Sequence, residues 1–260
     1  MYLLAYDRLH RANLDTHAAL FAGFVYGLGS YHLNYISRGQ PNIAANHWVP
    51  FYFFFVIRGF ESRHPTRYGA MAGFFLALSA WTELTYAAFL GLLTLTYWFL
   101  RVRNIQLRTF AVQILALSVV ALVGIAPILA DIVSEYQRYG DYLTVGLARS
   151  QIFSADIFGF ILPSSLNPIF GPLTRDLPFQ TMNWTFPGIV PLALAVGASV
   201  RYRDARTWGW ATLVFAILML GPFLQIAGTI TNVPLPYNLL FFVPLLKSNR
   251  YPFRLNSIFM

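Results

Sequence analysis

Residues 109–132 read TFAVQILALSVVALVGIAPILADI, with Asp131 as their single charged residue. A helix needs roughly 20 mostly apolar residues to cross the hydrocarbon core of a bilayer, so this stretch predicts a membrane-spanning helix. Working outward, apolar runs at 16–36, 47–60, 68–80 and 84–100 precede it, and runs at 184–200 and 208–226 follow. The runs beginning at 47, 68 and 84 are short for full crossings, which predicts tilt or a break near residues 81–85. Hydrophobic residues form 57% of the chain and charged residues 11%. A soluble domain carries about a quarter charged residues, so the composition excludes an ordinary water-soluble globule. The expected fold is all-α: a polytopic transmembrane helical bundle with short extracytoplasmic interfacial helices. Residues 1–260 form one transmembrane domain, and 134–183 an extracytoplasmic loop within it.

Basic residues set the expected orientation, because positive loops stay cytoplasmic. Arg8 and Arg11, then Arg58, Arg63 and Arg67, then Arg101, Arg103 and Arg108, then Arg201, Arg203 and Arg206 fall on one side by alternation. The opposite side receives Arg38, the 134–183 loop, the 227–254 segment, and the acids Glu83, Asp131, Glu135, Asp141, Asp156 and Asp176. The net charge of +8 therefore reflects topology, and no nucleic-acid partner is expected.

Absence of cysteine excludes disulfides, thiolate catalysis and cysteine-ligated metals. Both ends look like those of a fragment: residues 1–8 resemble the end of a helix, and 255–260 stop as an apolar run begins. The 134–183 loop contains Pro163, Pro168, Pro172 and Pro178, which argue against one continuous helix there. Its apolar positions 153, 157, 160 and 161 have helical spacing, predicting a short interfacial helix on the membrane surface.

Polar residues that fall near the outer helix ends are the candidate site. His32 and His47 are either a general base or metal ligands, or imidazoles meeting headgroups and water. Glu83, at the expected break, either takes a proton from an acceptor hydroxyl or is a hydrated surface carboxylate. Asp156 either binds substrate or caps the interfacial helix. Arg250 and Arg254, four apart around Pro252, either converge on a phosphate or anchor headgroups. The aromatic content is ordinary interfacial-belt and packing material.

The order of these pieces resembles the bacterial membrane proteins related to C-type (GT-C) glycosyltransferases, including the YfhO-like branch. Four stretches carry the resemblance. They are Ser30-Tyr31-His32 with Gly39-Gln40-Pro41-Asn42 and Trp48-Val49-Pro50; Ser154-Ala155-Asp156 with Leu162-Pro163-Ser164 and Asn167-Pro168; Leu220-Gly221-Pro222 with Leu235-Pro236-Tyr237; and Pro244-Leu245-Leu246 with Arg250-Tyr251-Pro252-Phe253-Arg254.

The resemblance implies transfer of a sugar from a polyprenyl-phosphate carrier at the outer membrane face onto a glycan, lipid or protein acceptor. It places Arg250 and Arg254 on the donor phosphate, Asp156 and Glu83 in catalysis or acceptor organisation, and His32, Asn42 and His47 around the cleft. A divalent metal is compatible with that chemistry, and no cofactor is assigned. Such proteins usually carry an essential acid in the first outer loop, for which this chain has no counterpart. Two other classes fit the composition: a lipid-linked sugar flippase or other transporter, and a non-catalytic membrane scaffold for envelope assembly.

Overall fold

The computed structural model describes residues 1–11, 16–103, 105–139, 147–163, 165, 167, 169–176, 185–242 and 251–259. The fold is mostly helical, and the chain divides into two compact units, Met1–Asp141 and Tyr142–Met260.

The first unit contains α1 (Tyr2–Arg11), α2 (Thr16–Gly27), α3 (Ser30–Ser37), α4 (Pro41–Ala44), α5 (Trp48–Glu61), α6 (Pro65–Thr82), α7 (Leu84–Arg101) and α8 (Leu107–Tyr139). The run at 16–36 is not one helix but two, interrupted at Leu28 and Gly29. The expected break falls at Glu83, whose extended backbone (φ −157°, ψ 113°) ends α6 and opens α7. Proline occupies the first turn of α4 and of α6, where its missing N–H would have no intrahelical partner anyway.

α6 and α8 pack through small residues. Gly69, Gly73 and Ala77 recur every four residues and line one face of α6. A Cβ on Gly69 or Gly73 would collide with the backbone carbonyl of Gln113 or Leu117 on α8, and one on Gly124 would come within 2.6 Å of the Ala77 Cβ. Small residues four apart let two helix backbones approach closely, the packing favoured in lipid, where hydrophobicity alone does not draw helices together. Gln113 crosses the same seam. Its amide is fully buried and donates to the Val56 carbonyl of α5 at 2.8 Å, filling the space that a side chain on Gly59 would need. Between α5 and α7, Tyr52 Oη donates to Thr94 Oγ1 at 2.7 Å, while Thr94 donates to the Leu90 carbonyl.

Only Gln113, Leu117, Ala121 and Ile125 of α8 are buried, a single stripe at four-residue spacing. The rest of its surface is apolar and exposed, with Val123 73% accessible and Leu115 66%. A soluble bundle would not leave so long an apolar face in water. α8 is long and apolar enough to cross a membrane, and it is the one such helix among the described residues. It runs past the expected boundary at 132 to Tyr139. Pro127 interrupts its hydrogen-bond ladder, and Trp81 Nε1 donates to the nearby Gly124 carbonyl at 2.9 Å.

The second unit contains α9 (Leu147–Ile152), a 3₁₀ turn at Ile157–Phe160, α10 (Gly171–Thr174), α11 (Ile189–Arg201) and α12 (Arg203–Met219). The expected interfacial helix is thus a single 3₁₀ turn. The run at 208–226 is corrected too: the helix stops at Met219, and β1 (Phe223–Ile226) pairs antiparallel with β2 (Thr229–Pro234). Gly221, at φ 76°, and Pro222 turn the chain out of the helix. Ala227 and Gly228 both take positive φ, 49° and 79°, which is the two-residue turn whose twist suits a β-hairpin. Two further 3₁₀ turns, Pro236–Phe242 and Pro252–Leu255, precede a final helical turn at Asn256–Phe259.

Candidate functional site

In the first unit, the candidate residues stand at the end of the bundle opposite Arg58, Arg63, Arg67, Arg101, Arg103 and Arg108, while Arg38 and Arg138 lie away from that arginine cluster. Rings link Phe60 to Phe110 and Trp98 to Phe110, so the ends of α5 and α7 meet the start of α8 where Arg58, Arg101 and Arg108 lie. At the far end, Trp48 packs on Phe75 at 5.8 Å, and α3, α4 and the start of α7 come together.

Tyrosines tie that far end. Tyr86, three residues into α7, donates from its hydroxyl to the Ile43 carbonyl of α4 and receives the Tyr31 hydroxyl of α3 at 2.6 Å. Tyr26 of α2 donates to the Asn46 carbonyl at 3.0 Å. Gly39 makes the tight return from α3 to α4 possible: at φ 67° it takes the left-handed conformation in which helices commonly end, and its N–H bonds the Ile36 carbonyl.

His32 sits inside this frame, edge-on to Tyr26 at 5.4 Å and beside the Asn46 side chain. His32 and the Asn46 amide are thereby brought together. His47 itself is exposed and stacks on Trp48 at 4.3 Å. Asn42 is exposed on α4. Asn46, 2% accessible, is the amide held in the frame, rather than Asn42. The signal for it in the sequence was only its place directly before His47 and Trp48. Glu83 Oε1 accepts the Thr85 hydroxyl at 3.0 Å, and its carbonyl accepts the Tyr86 N–H, so a half-buried carboxylate stands one turn from the tyrosine pair.

In the second unit, Asp156 is 4% accessible and both of its oxygens accept backbone N–H groups. Oδ1 caps the 3₁₀ turn through Phe158 N–H at 2.9 Å, and Oδ2 accepts Gly228 N–H at 2.7 Å. Its neighbours are similarly engaged. The Gln151 amide makes two bonds to the Phe223 backbone, 2.9 and 2.8 Å, and Ala155 N–H bonds the Met219 carbonyl at 2.8 Å. Residues 151–156 therefore act as a clasp on the β-hairpin.

Arg254 leaves the 3₁₀ turn with its guanidinium over the Tyr251 ring, 4.1 Å from the centroid. Tyr251 in turn packs on Phe153 at 4.4 Å, and Phe253 N–H bonds the Phe153 carbonyl at 3.3 Å. The same clasp thus seats both Asp156 and the Arg254 stack. Arg250 lies outside the described residues.

The arrangement provides a cation held over an aromatic ring in one unit, and imidazole, amide and carboxylate groups at one end of the other. Among the described residues no three His, Asp or Glu side chains form a metal-binding group. No family model, curated protein or solved structure matches the chain.

Proposed function

We propose that the chain is part of a multi-pass membrane glycosyltransferase of the GT-C kind, using a polyprenyl-phosphate-linked sugar at the extracytoplasmic face in envelope glycan or glycolipid assembly. The observation that carries this reading is a bias within the first unit: Arg58, Arg63, Arg67, Arg101, Arg103 and Arg108 stand at one end of the bundle, against Arg38 and Arg138 toward the other, where His32, Asn46, His47 and Glu83 lie. By the positive-inside rule the arginine end is cytoplasmic, which puts the polar frame outside, where lipid-linked sugars are consumed. Groups that ionise are costly at membrane depth, and a half-buried Glu83 and His32 at one end are consistent with a hydrated cleft there.

In this reading the Arg254 guanidinium, oriented by Tyr251, meets the donor phosphate and stabilises its charge as the sugar leaves. Within the first unit, Glu83 accepts the acceptor proton, and His32 and His47 shape the polar end around it. Within the second unit, Asp156 holds the hairpin on the same clasp that seats Arg254. In this reading α5, α6 and α7 join α8 as membrane helices of the first unit, and α11 and α12 are membrane helices of the second. At 1.5 Å per residue α5 and α11 each cover only about 20 Å, which calls for locally thinned bilayer.

The test is transfer by the full-length protein from a radiolabelled polyprenyl-phosphate sugar to endogenous acceptor in membrane vesicles. Arg254→Ala is expected to reduce transfer by about 30- to 160-fold, the scale of about 2–3 kcal/mol for a charge-assisted contact. Unchanged transfer removes Arg254 from the donor site.

A second reading is favoured by the interruption between α2 and α3, because transporters place discontinuous helices at substrate sites. A lipid-linked sugar transporter would translocate the labelled lipid in vesicles without forming glycosylated product, which the same preparation distinguishes.

A further inference from the structure

At the arginine end of the first unit, α5 and α6 leave a cleft of about 430 Å³ lined by Phe54, Phe55, Arg58, Arg67, Tyr68 and Met71. We infer that this cleft binds the headgroup of one monoanionic diacyl phospholipid, with an acyl chain lying along the aromatic seam between α5 and α6. The inference rests on the membrane embedding of these helices and is independent of sugar transfer.

Charge comes first. The lining carries two guanidinium groups and no carboxylate. Arg58 is held in place from outside the lining by an ion pair to Asp7 and lies over the Phe54 ring at 5.6 Å. Asp7 pairs with one of the two lining guanidinium groups, and the lining itself stays cationic, which suits a phosphodiester with no cationic headgroup. Arg67 is exposed at the cleft. Guanidinium groups suit phosphate because their planar N–H forks can meet two oxygens at once.

Shape is the second argument. The cleft opens onto half-exposed rings: Tyr68 lies 6.3 Å from Phe55, Phe55 stacks on Phe75 at 5.5 Å, and Phe75 stacks on Phe51 at 5.2 Å. The seam ends at Trp48, which packs on Phe75. From Arg58 to Trp48 it covers ten residues of α5, about 15 Å at 1.5 Å per residue. A soluble anion would use the arginines and leave the rings unoccupied. A lipid uses both, and basic pockets between membrane helices on the cytoplasmic side are where anionic headgroups bind.

The test is native mass spectrometry of the full chain from micelles doped with phosphatidylglycerol or phosphatidylcholine, with thermal stability measured in parallel. One tightly held phosphatidylglycerol is expected, together with a larger stability gain than phosphatidylcholine gives. Arg67→Gln should cut the bound fraction about fivefold, the scale of one surface arginine, and Arg67→Lys should keep most of it. Equal occupancy by the two lipids, or no change in Arg67→Gln, overturns the inference. An equal stability gain from inorganic phosphate without lipid would also overturn it, by making the site one for free anions. Alkaline carbonate washing separates the two levels: release of the chain from membranes refutes the embedding itself, whereas retention with no lipid preference refutes only this site.

Discussion

The Gly228 N–H, at the tip of the hairpin turn, donates to Asp156 Oδ2 at 2.7 Å, across seventy-two positions of sequence. With Oδ1 held by Phe158 N–H, this bond makes Asp156 the point at which the 3₁₀ turn and the β-hairpin are joined. A carboxylate accepting two backbone N–H groups is well satisfied where it is, and burial makes each N–H costly to orphan.

Asp156→Ala should therefore destabilise the protein by about 2–4 kcal/mol, the sum for two buried donors left unpaired. Asp156→Asn, which keeps one acceptor oxygen, should cost about half of that. Denaturant titration in detergent checks both. If Asp156→Asn abolished sugar transfer with stability intact, the residue would be a proton acceptor rather than an organiser of the hairpin.

The α6–α8 seam predicts a contrast among glycines. Gly73→Val forces the helix backbones apart and should cost about 1–3 kcal/mol, seen as a lower Tm. A Cβ at Gly91 of α7 meets nothing within 4 Å. Gly91→Ala should accordingly be neutral or stabilising by up to about 1 kcal/mol, from helix propensity alone. Equal effects at the two sites would mean that the close packing of α6 on α8 is absent.

Tyr86→Phe removes the donor to the Ile43 carbonyl and the acceptor for Tyr31. A loss of about 1–3 kcal/mol is expected, concentrated in the polar end of the first unit. Hydrogen exchange should show faster exchange at residues 40–47 while α8 stays protected. Uniformly unchanged exchange would refute the bracing role.

The absence of native cysteine allows a direct topology test. Asn42→Cys and Arg63→Cys lie at opposite ends of the first unit, and both positions are exposed. In intact cells a membrane-impermeant thiol reagent should label Asn42→Cys at once and Arg63→Cys only after permeabilisation. The reverse pattern would turn the proposed orientation over and move the polar frame to the cytoplasm.

Much of the helix layout was legible in the sequence, because it depends on local chemistry. The apolar runs and the loops between them located α5 to α7 and the start of α8 within a few residues, the break at Glu83 included, while the end of α8 lies seven residues beyond the expected boundary. Asp156 was open to a capping role from its position before Ile157 and Phe158. The hairpin was not legible: Phe223–Ile226 continues an apolar run, and a short apolar stretch reads equally as helix or strand until its partner is known. Gly221-Pro222 and Ala227-Gly228 were its local signals.

Composition and charge order by themselves determined that this is a helical chain suited to a membrane, with its arginines grouped in short loops. Tertiary structure alone decided that Asn46 rather than Asn42 is buried beside His32, that Gln113 bridges α8 to α5 over Gly59, and that Gly228 is bound by Asp156. Hydropathy and helix termini are properties of neighbouring residues, so they survive in the linear sequence. Burial and hydrogen-bond partners depend on groups distant in the chain, and they exist only once the helices have packed.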